Sequence, residues 1–105
     1  DEDVFTPTDV KISYENRCIL ITDYWYHQIH VFDLDTKQYK YNVPLEVPYP
    51  LYMCIEEDYD GCYNDALLVN FDDQRLVNKY DLRKLLSLTK NNDDMYTLWK
   101  CNECA

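Results

Sequence analysis

Glycine is almost absent from this sequence. Gly61 is the only one in 105 residues, so it is expected at a turn that needs a positive φ. A Gly-x-Ser-x-Gly nucleophile elbow needs two glycines and is excluded. Bases are also scarce, ten Lys and Arg against twenty Asp and Glu, for a net charge of −10. Such a field repels phosphate backbones, which argues against generic nucleic-acid or anionic-membrane binding. The longest basic candidate, "DLRKLL", holds only Arg83 and Lys84. No apolar run approaches the roughly 20 residues that cross a bilayer. No Asn-x-Ser/Thr acceptor occurs, and the opening "DEDVF" is acidic, without an initiating Met. The expectation is a processed chain or a part of a longer one.

What is present suits one small globular unit. Apolar residues make up 47% of the chain and aromatic residues 15%, which is enough to build a core and is not a disordered composition. Five cysteines, Cys18, Cys54, Cys62, Cys101 and Cys104, form an odd and irregularly spaced set. That does not read as a secreted disulfide framework, so reduced thiols and a cytoplasmic protein are expected. "CNEC" has the spacing of half a zinc knuckle. Zinc at Cys101 and Cys104 is the minor reading beside inert thiols or a partner site beyond the terminus, and no cofactor is otherwise expected.

The chain repeats itself. "NRCILITDYWYHQIHVFDL" from Asn16 lies over "NDALLVNFDDQRLVNKYDL" from Asn64 without a gap, at a shift of 48 residues. Asn16, Leu20, Asp33 and Leu34 match Asn64, Leu68, Asp81 and Leu82 identically, and Ile19, Ile21, Ile29 and Phe32 match Leu67, Val69, Val77 and Tyr80 in kind. Upstream, "TPTDVKIS" parallels "PYPLYMCIEED", with a longer loop before the shared Asn in the second copy. β-branched and aromatic runs bounded by turn residues predict strands near 9–13, 18–23, 27–33 and 38–43, then 51–55, 66–70 and 76–80. "DLRKLL" reads as a short helical turn or an outer strand, and "MYTLWK" as one more strand. The runs at 18–21 and 66–69 are apolar on both faces, as stacked sheets require. Leu20 and Leu68 are therefore both expected to be buried between sheets.

A unit of about 48 residues with about four short strands fits a β-propeller blade. "ILITDYWYHQIHVFDLDTKQY" resembles the NHL-repeat pattern: an apolar strand ending in Asp, a turn with His, then Ile-x-x-Phe and an acidic turn. Asp23, His27, Ile29 and Phe32 fall on that pattern, while Tyr26 and Gln28 replace its usual Asn and Arg. The second copy is degenerate, with Phe71 at the Asp position and Arg75 at the His position. The resemblance spans about residues 6–86 and implies an all-β fold of two four-stranded antiparallel blades. The first is expected at 1–48 and the second at 49–90, with an acidic, cysteine-containing strand and tail at 91–105. Two blades do not close a propeller, so further blades from the same protein, other subunits or a partner's sheet are expected to complete it. Of these, a piece of a longer propeller is the leading reading.

The clump at "DYWYHQIH" raises a catalytic reading of Asp23, His27 and His30. Scaffold is the stronger one. His27, in the turn beside Asp23, is expected to brace that turn, and residues three apart on a strand point to opposite faces, which a shared metal would not favour. "EEDYDGCYND" resembles a calcium loop until its twelfth position, where Leu67 stands in place of a bidentate Glu; an acidic strand connection is expected instead. Tyr24, Trp25, Tyr26, Tyr39, Tyr41, Tyr49 and Tyr52 are the candidate interaction surface, since such aromatics are enriched at interfaces. NHL-like propellers commonly bind proteins, or RNA when basic. The resemblance and the acidity together imply a non-enzymatic scaffold for protein partners with basic surfaces. The alternative is part of a propeller enzyme of the metal-dependent lyase or lactonase type.

Overall fold

A computed structural model describes residues 5–72, 75–87 and 97–101. The strands are β1 (Pro7–Ser13), β2 (Cys18–Asp23), β3 (Gln28–Asp33), β4 (Tyr39–Pro44), β5 (Pro50–Glu56), β6 (Ala66–Phe71), β7 (Leu76–Asp81) and β8 (Thr97–Cys101). A short helix, α1 (Leu82–Leu86), follows β7 directly. The strands form two four-stranded antiparallel sheets with the simple orders β1-β2-β3-β4 and β5-β6-β7-β8. The fold is all-β, with two blade-like sheets. The segment "MYTLWK", expected as one more strand, contributes β8, which pairs with β7 and completes the second sheet. Without it, β7 would present an open row of backbone donors and acceptors. Residues 102–105 lie outside the described residues.

The 48-residue repeat holds in three dimensions. β6 and β7 begin and end at that shift from β2 and β3. Tyr24 N donates to Thr6 O at 3.0 Å, and Asp72 N donates to Tyr49 O at 2.9 Å. Leu34 N donates to Arg17 O at 3.0 Å, and Leu82 N donates to Asp65 O at 2.9 Å. His27 and Arg75 both hold a positive φ, 56° and 47°. The shared aspartates do the same work: Asp33 accepts from Thr36 N at 2.8 Å, and Asp81 accepts from Lys84 N at 3.1 Å as the N-cap of α1. Here an oxygen acceptor takes a backbone N–H that would otherwise lack a partner. "DLRKLL" resolves as this helix.

The sheets share one core. Leu20, Ile29, Val31 and Val43 of the first cluster with Met53, Leu67, Val69, Phe71 and Tyr80 of the second. Alternation along each strand decides which residues take part. In β2 the buried alternate set is Cys18, Leu20 and Thr22; in β6 it is Leu67, Val69 and Phe71. Opposite faces of the two sheets therefore meet. A polar belt closes the edge where β1 meets β5. Asp9 Oδ2 accepts from Met53 N at 2.7 Å, Thr22 Oγ1 donates to Leu51 O at 3.1 Å, and Thr8 Oγ1 donates to Pro50 O at 3.3 Å. Burial pushes the Asp9 carboxyl upward, but the Met53 N–H, the Lys11 ammonium and the Val10 N–H outweigh it and hold it below the ordinary range. A depressed carboxylate stabilises the fold above its unfolded pKa and loses that contribution as pH falls through the folded value.

The expectation for Leu68 requires correction. Leu20 is fully buried, but Leu68 is only partly buried and faces away from the first sheet. The alignment stands, since both residues occupy the same position of the same blade face. That face of the first sheet is covered by the second, and that of the second is left uncovered by the described residues. Leu20→Ala should cost roughly 2–5 kcal/mol, and Leu68→Ala about 1 kcal/mol in dilute solution; denaturant melts of the two variants check this. Asp9→Asn should flatten the loss of stability below about pH 4, the range set by an ordinary Asp pKa of about 3.9, as a series of acid melts would show.

Candidate interaction surfaces

Antiparallel connectivity sorts the turns to two ends. The β2–β3 turn, the β4–β5 connection and the β6–β7 turn share one end. The β1–β2 turn, the β3–β4 turn and the β5–β6 loop share the other.

The first end is aromatic. The Tyr24 ring lies 5.2 Å from Trp25 and 5.1 Å from Tyr49, and Trp25 lies 6.0 Å from Tyr49. The Tyr24 hydroxyl donates to Asp72 Oδ2 at 2.5 Å, tying equivalent turns of the two blades together. His27 is in the turn, as expected, and its bonds run onward to the β4–β5 connection. Its Nδ1 accepts from Tyr49 N at 3.0 Å, its carbonyl accepts from Leu45 N at 2.9 Å, and its ring meets Tyr49 edge-on at 4.7 Å. Asp23 is bonded to β3 rather than to His27. Its Oδ2 lies 2.8 Å from His30 Nε2 and accepts from Gln28 Nε2 at 3.3 Å. Gln28 stands opposite Asp23 in the ladder and His30 two residues on, so the period of two places them on one face, while the left-handed backbone at His27 turns that side chain out of the sheet.

The seven aromatics expected as one surface are distributed over several. Tyr24, Trp25, Tyr26 and Tyr49 belong to the aromatic end, where Trp25 and Tyr26 are the exposed members. Tyr39 packs on Phe32 and His30 on the outer face of the first sheet. Tyr41 points to the opposite face of β4, and its hydroxyl donates to Leu86 O at 3.1 Å, tying the first sheet to α1. Tyr52 stands exposed on the far face of the second sheet.

The second end is acidic. Tyr14, Glu15, Glu57, Asp58, Tyr63 and Asp65 line a cleft of 330 Å³ between the β1–β2 turn and the β5–β6 loop. Tyr14 and Tyr63 are 60% and 74% exposed, so both rings are available to a ligand. The carboxylates of the β5–β6 loop hold its shape. Asp58 Oδ1 accepts from Tyr63 N at 2.7 Å, and Asp60 accepts from Asn64 Nδ2 at 2.6 Å and Cys62 N at 2.8 Å. Gly61 supplies a φ of 76° between them. Across the cleft, Ser13 Oγ donates to Asp65 Oδ2 at 2.9 Å, joining the loop to the first sheet. The Asn64 amide and the Cys62 N–H keep the Asp60 carboxyl below its ordinary range. Sequence reasoning missed Tyr14 and Tyr63. Each is a tyrosine beside acids at a turn, a weak signal until the blades bring them together.

The cysteines differ sharply. Cys18 is buried and its thiol is pushed up to about 11, first by burial, with Lys40 opposing and Asp65 reinforcing the shift. Cys54 and Cys62 are free and exposed. Cys101 is disulfide-bonded, contrary to the expectation of reduced thiols, and a zinc ligand there would require its reduction. Cys104 lies outside the described residues. Among the described residues, no three or more His, Cys, Asp and Glu side chains are grouped to hold a metal ion. No helix among them is long and apolar enough to cross a membrane.

No protein-family model matches the chain, and no curated protein matches it. His27→Ala should lower stability by about 1 kcal/mol through the lost Tyr49 hydrogen bond, with binding falling only in proportion to unfolding; a thermal melt beside a binding isotherm checks both. Because the thiolate is the reactive form, iodoacetamide at neutral pH should label Cys54 and Cys62 while Cys18 reacts only after unfolding, as peptide mass spectrometry would report.

Proposed function

We propose that this chain is a non-enzymatic interaction module of NHL-like blade type whose partner is a protein with a basic surface. The acidic cleft at the blade junction carries this reading. It places two exposed tyrosine rings beside Glu15, Glu57 and Asp58, and the chain as a whole carries a charge of −10. Guanidinium and ammonium groups pair with carboxylates and stack over aromatic faces. A 330 Å³ cleft has room for such a side chain. The loop is fixed by its own hydrogen bonds, so little ordering entropy is lost on binding. The blade repeat and the net acidity support the scaffold reading in the same direction.

Amide chemical shifts during titration with an octa-arginine peptide test the proposal. Shifts should concentrate on the Tyr14 turn and the Tyr63 loop. Glu15→Gln with Glu57→Gln should weaken binding about tenfold, the equivalent of about 1.4 kcal/mol. Tyr63→Ala should weaken it without any change of charge. Shifts spread over all acidic surfaces, with Tyr63→Ala silent, would reduce the cleft to part of a general negative field and overturn the proposal.

A further inference from the structure

The two blades use opposite faces to meet, and among the described residues this leaves one unmatched face at each end of the pair. The equivalences of the repeat define both. On the second sheet, Leu68 and Val77 occupy the positions that Leu20 and Ile29 occupy in the first sheet's covered face. Trp99, opposite Lys79, stands where Tyr41 stands opposite Val31. This far face carries an open cleft of 400 Å³ lined by Tyr59, Leu68, Lys79, Leu98 and Trp99. An adjoining hollow of 250 Å³ also has Leu68 in its wall. On the first sheet, Val10, Ile12, Ile19, Ile21 and Phe32 occupy the positions of Met53, Ile55, Leu67, Val69 and Tyr80, the residues that the second sheet uses against the first. Val10 is 55% exposed there, and Phe5 and Tyr39 extend the apolar surface.

We propose that the far face of the second blade takes the near face of the first blade of a second copy of this chain, head to tail. The occupant follows from continuity with the interface inside the chain. The rotation that carries blade one onto blade two, applied once more, brings a sheet of the first blade's kind onto Leu68 and Val77. Its Ile19 and Ile21 then stand where Leu67 and Val69 stand against Leu20. Leucine and isoleucine side chains thus meet as they do in the internal core. Lys79, in place of Val31, keeps its ammonium on Glu56 at 2.8 Å and over the Tyr59 ring, so its aliphatic stem lies along the face while its charge is met at the rim. The polar belt changes more: Tyr52 and Asn70 replace Asp9 and Thr22, and Asn70 Oδ1 accepts from Tyr52 N at 2.8 Å within the blade. The junction is heterologous, joining two different faces, so it propagates to a closed ring or an open filament. It stands independently of the acidic cleft.

Sedimentation of the 105-residue chain over a range of concentrations tests the proposal, using two variants that block one face each. Val10→Lys with Ile12→Lys blocks the near face, and Tyr52→Lys with Leu68→Lys blocks the far face. Lysine lowers the net negative charge, so lost association is not added repulsion. The unmodified chain should associate beyond the 12.7 kDa monomer. Each variant alone should sediment as a monomer, and an equimolar mixture should form a one-to-one dimer, because one intact junction remains between them. Circular dichroism establishes that each variant is folded, and Val10→Lys and Tyr52→Lys, both at exposed positions, serve alone if a double variant is not. A monodisperse wild-type monomer that melts cooperatively would overturn the proposal. So would association that persists in either variant, or folded variants that fail to pair when mixed.

Discussion

The rest of the structure depends on the burial of one face of the first sheet against the opposite face of the second. Leu20, Ile29 and Val31 are removed from water only because Leu67, Val69 and Tyr80 lie over them in the same cluster. At about 25 cal/mol per Å² of apolar area, this contact is the main favourable term available to so small a chain. It also fixes direction. A sheet of this repeat presents different residues on its two faces, so the stack has a near end and a far end rather than a two-fold centre. The asymmetry of the molecule, with aliphatic residues open on one side and an aromatic-lined hollow on the other, follows from that contact.

Polar groups set the register of the contact rather than its strength. Asp9 to Met53, Thr22 to Leu51 and Ser13 to Asp65 cross between the sheets where strands β1 and β5 approach. Each satisfies a group that packing would otherwise leave without water, and a group so stranded costs about 1–3 kcal/mol. At the aromatic end, Tyr24 to Asp72 and His27 to Tyr49 do the same for turns and connections. Glu46, in the connection between the blades, accepts from Tyr80 Oη at 3.0 Å, Asn78 Nδ2 at 3.2 Å and Thr97 Oγ1 at 3.1 Å. One carboxylate thereby joins the connection to β7 and β8.

Charge and apolar surface are divided between ends and faces. The turn ends carry charge and aromatic rings that a partner can reach, and the sheet faces carry apolar surface suited to another blade. The division follows from strand geometry. Faces are built from alternate residues at fixed spacing, which favours repeated aliphatic side chains. Ends are built from turns, where Asp, Asn and Tyr satisfy the backbone and remain in water.

The sequence by itself determined the strands and the repeat, because a period of two and a 48-residue shift are local properties readable without a partner. The capping pair Asp33 and Asp81 was already visible as an identity between the copies. The tertiary structure decided which alternate face of each strand is covered. Leu20 and Leu68 are the same residue at the same position, and only the place of each blade in the stack buries one and leaves the other partly open. It also decided that Asp23 meets His30 rather than His27, since a left-handed residue ends the alternation at the turn. Tyr14 and Tyr63 became a pair for the same reason: they lie in different blades, and their approach is a consequence of packing, which no local pattern encodes.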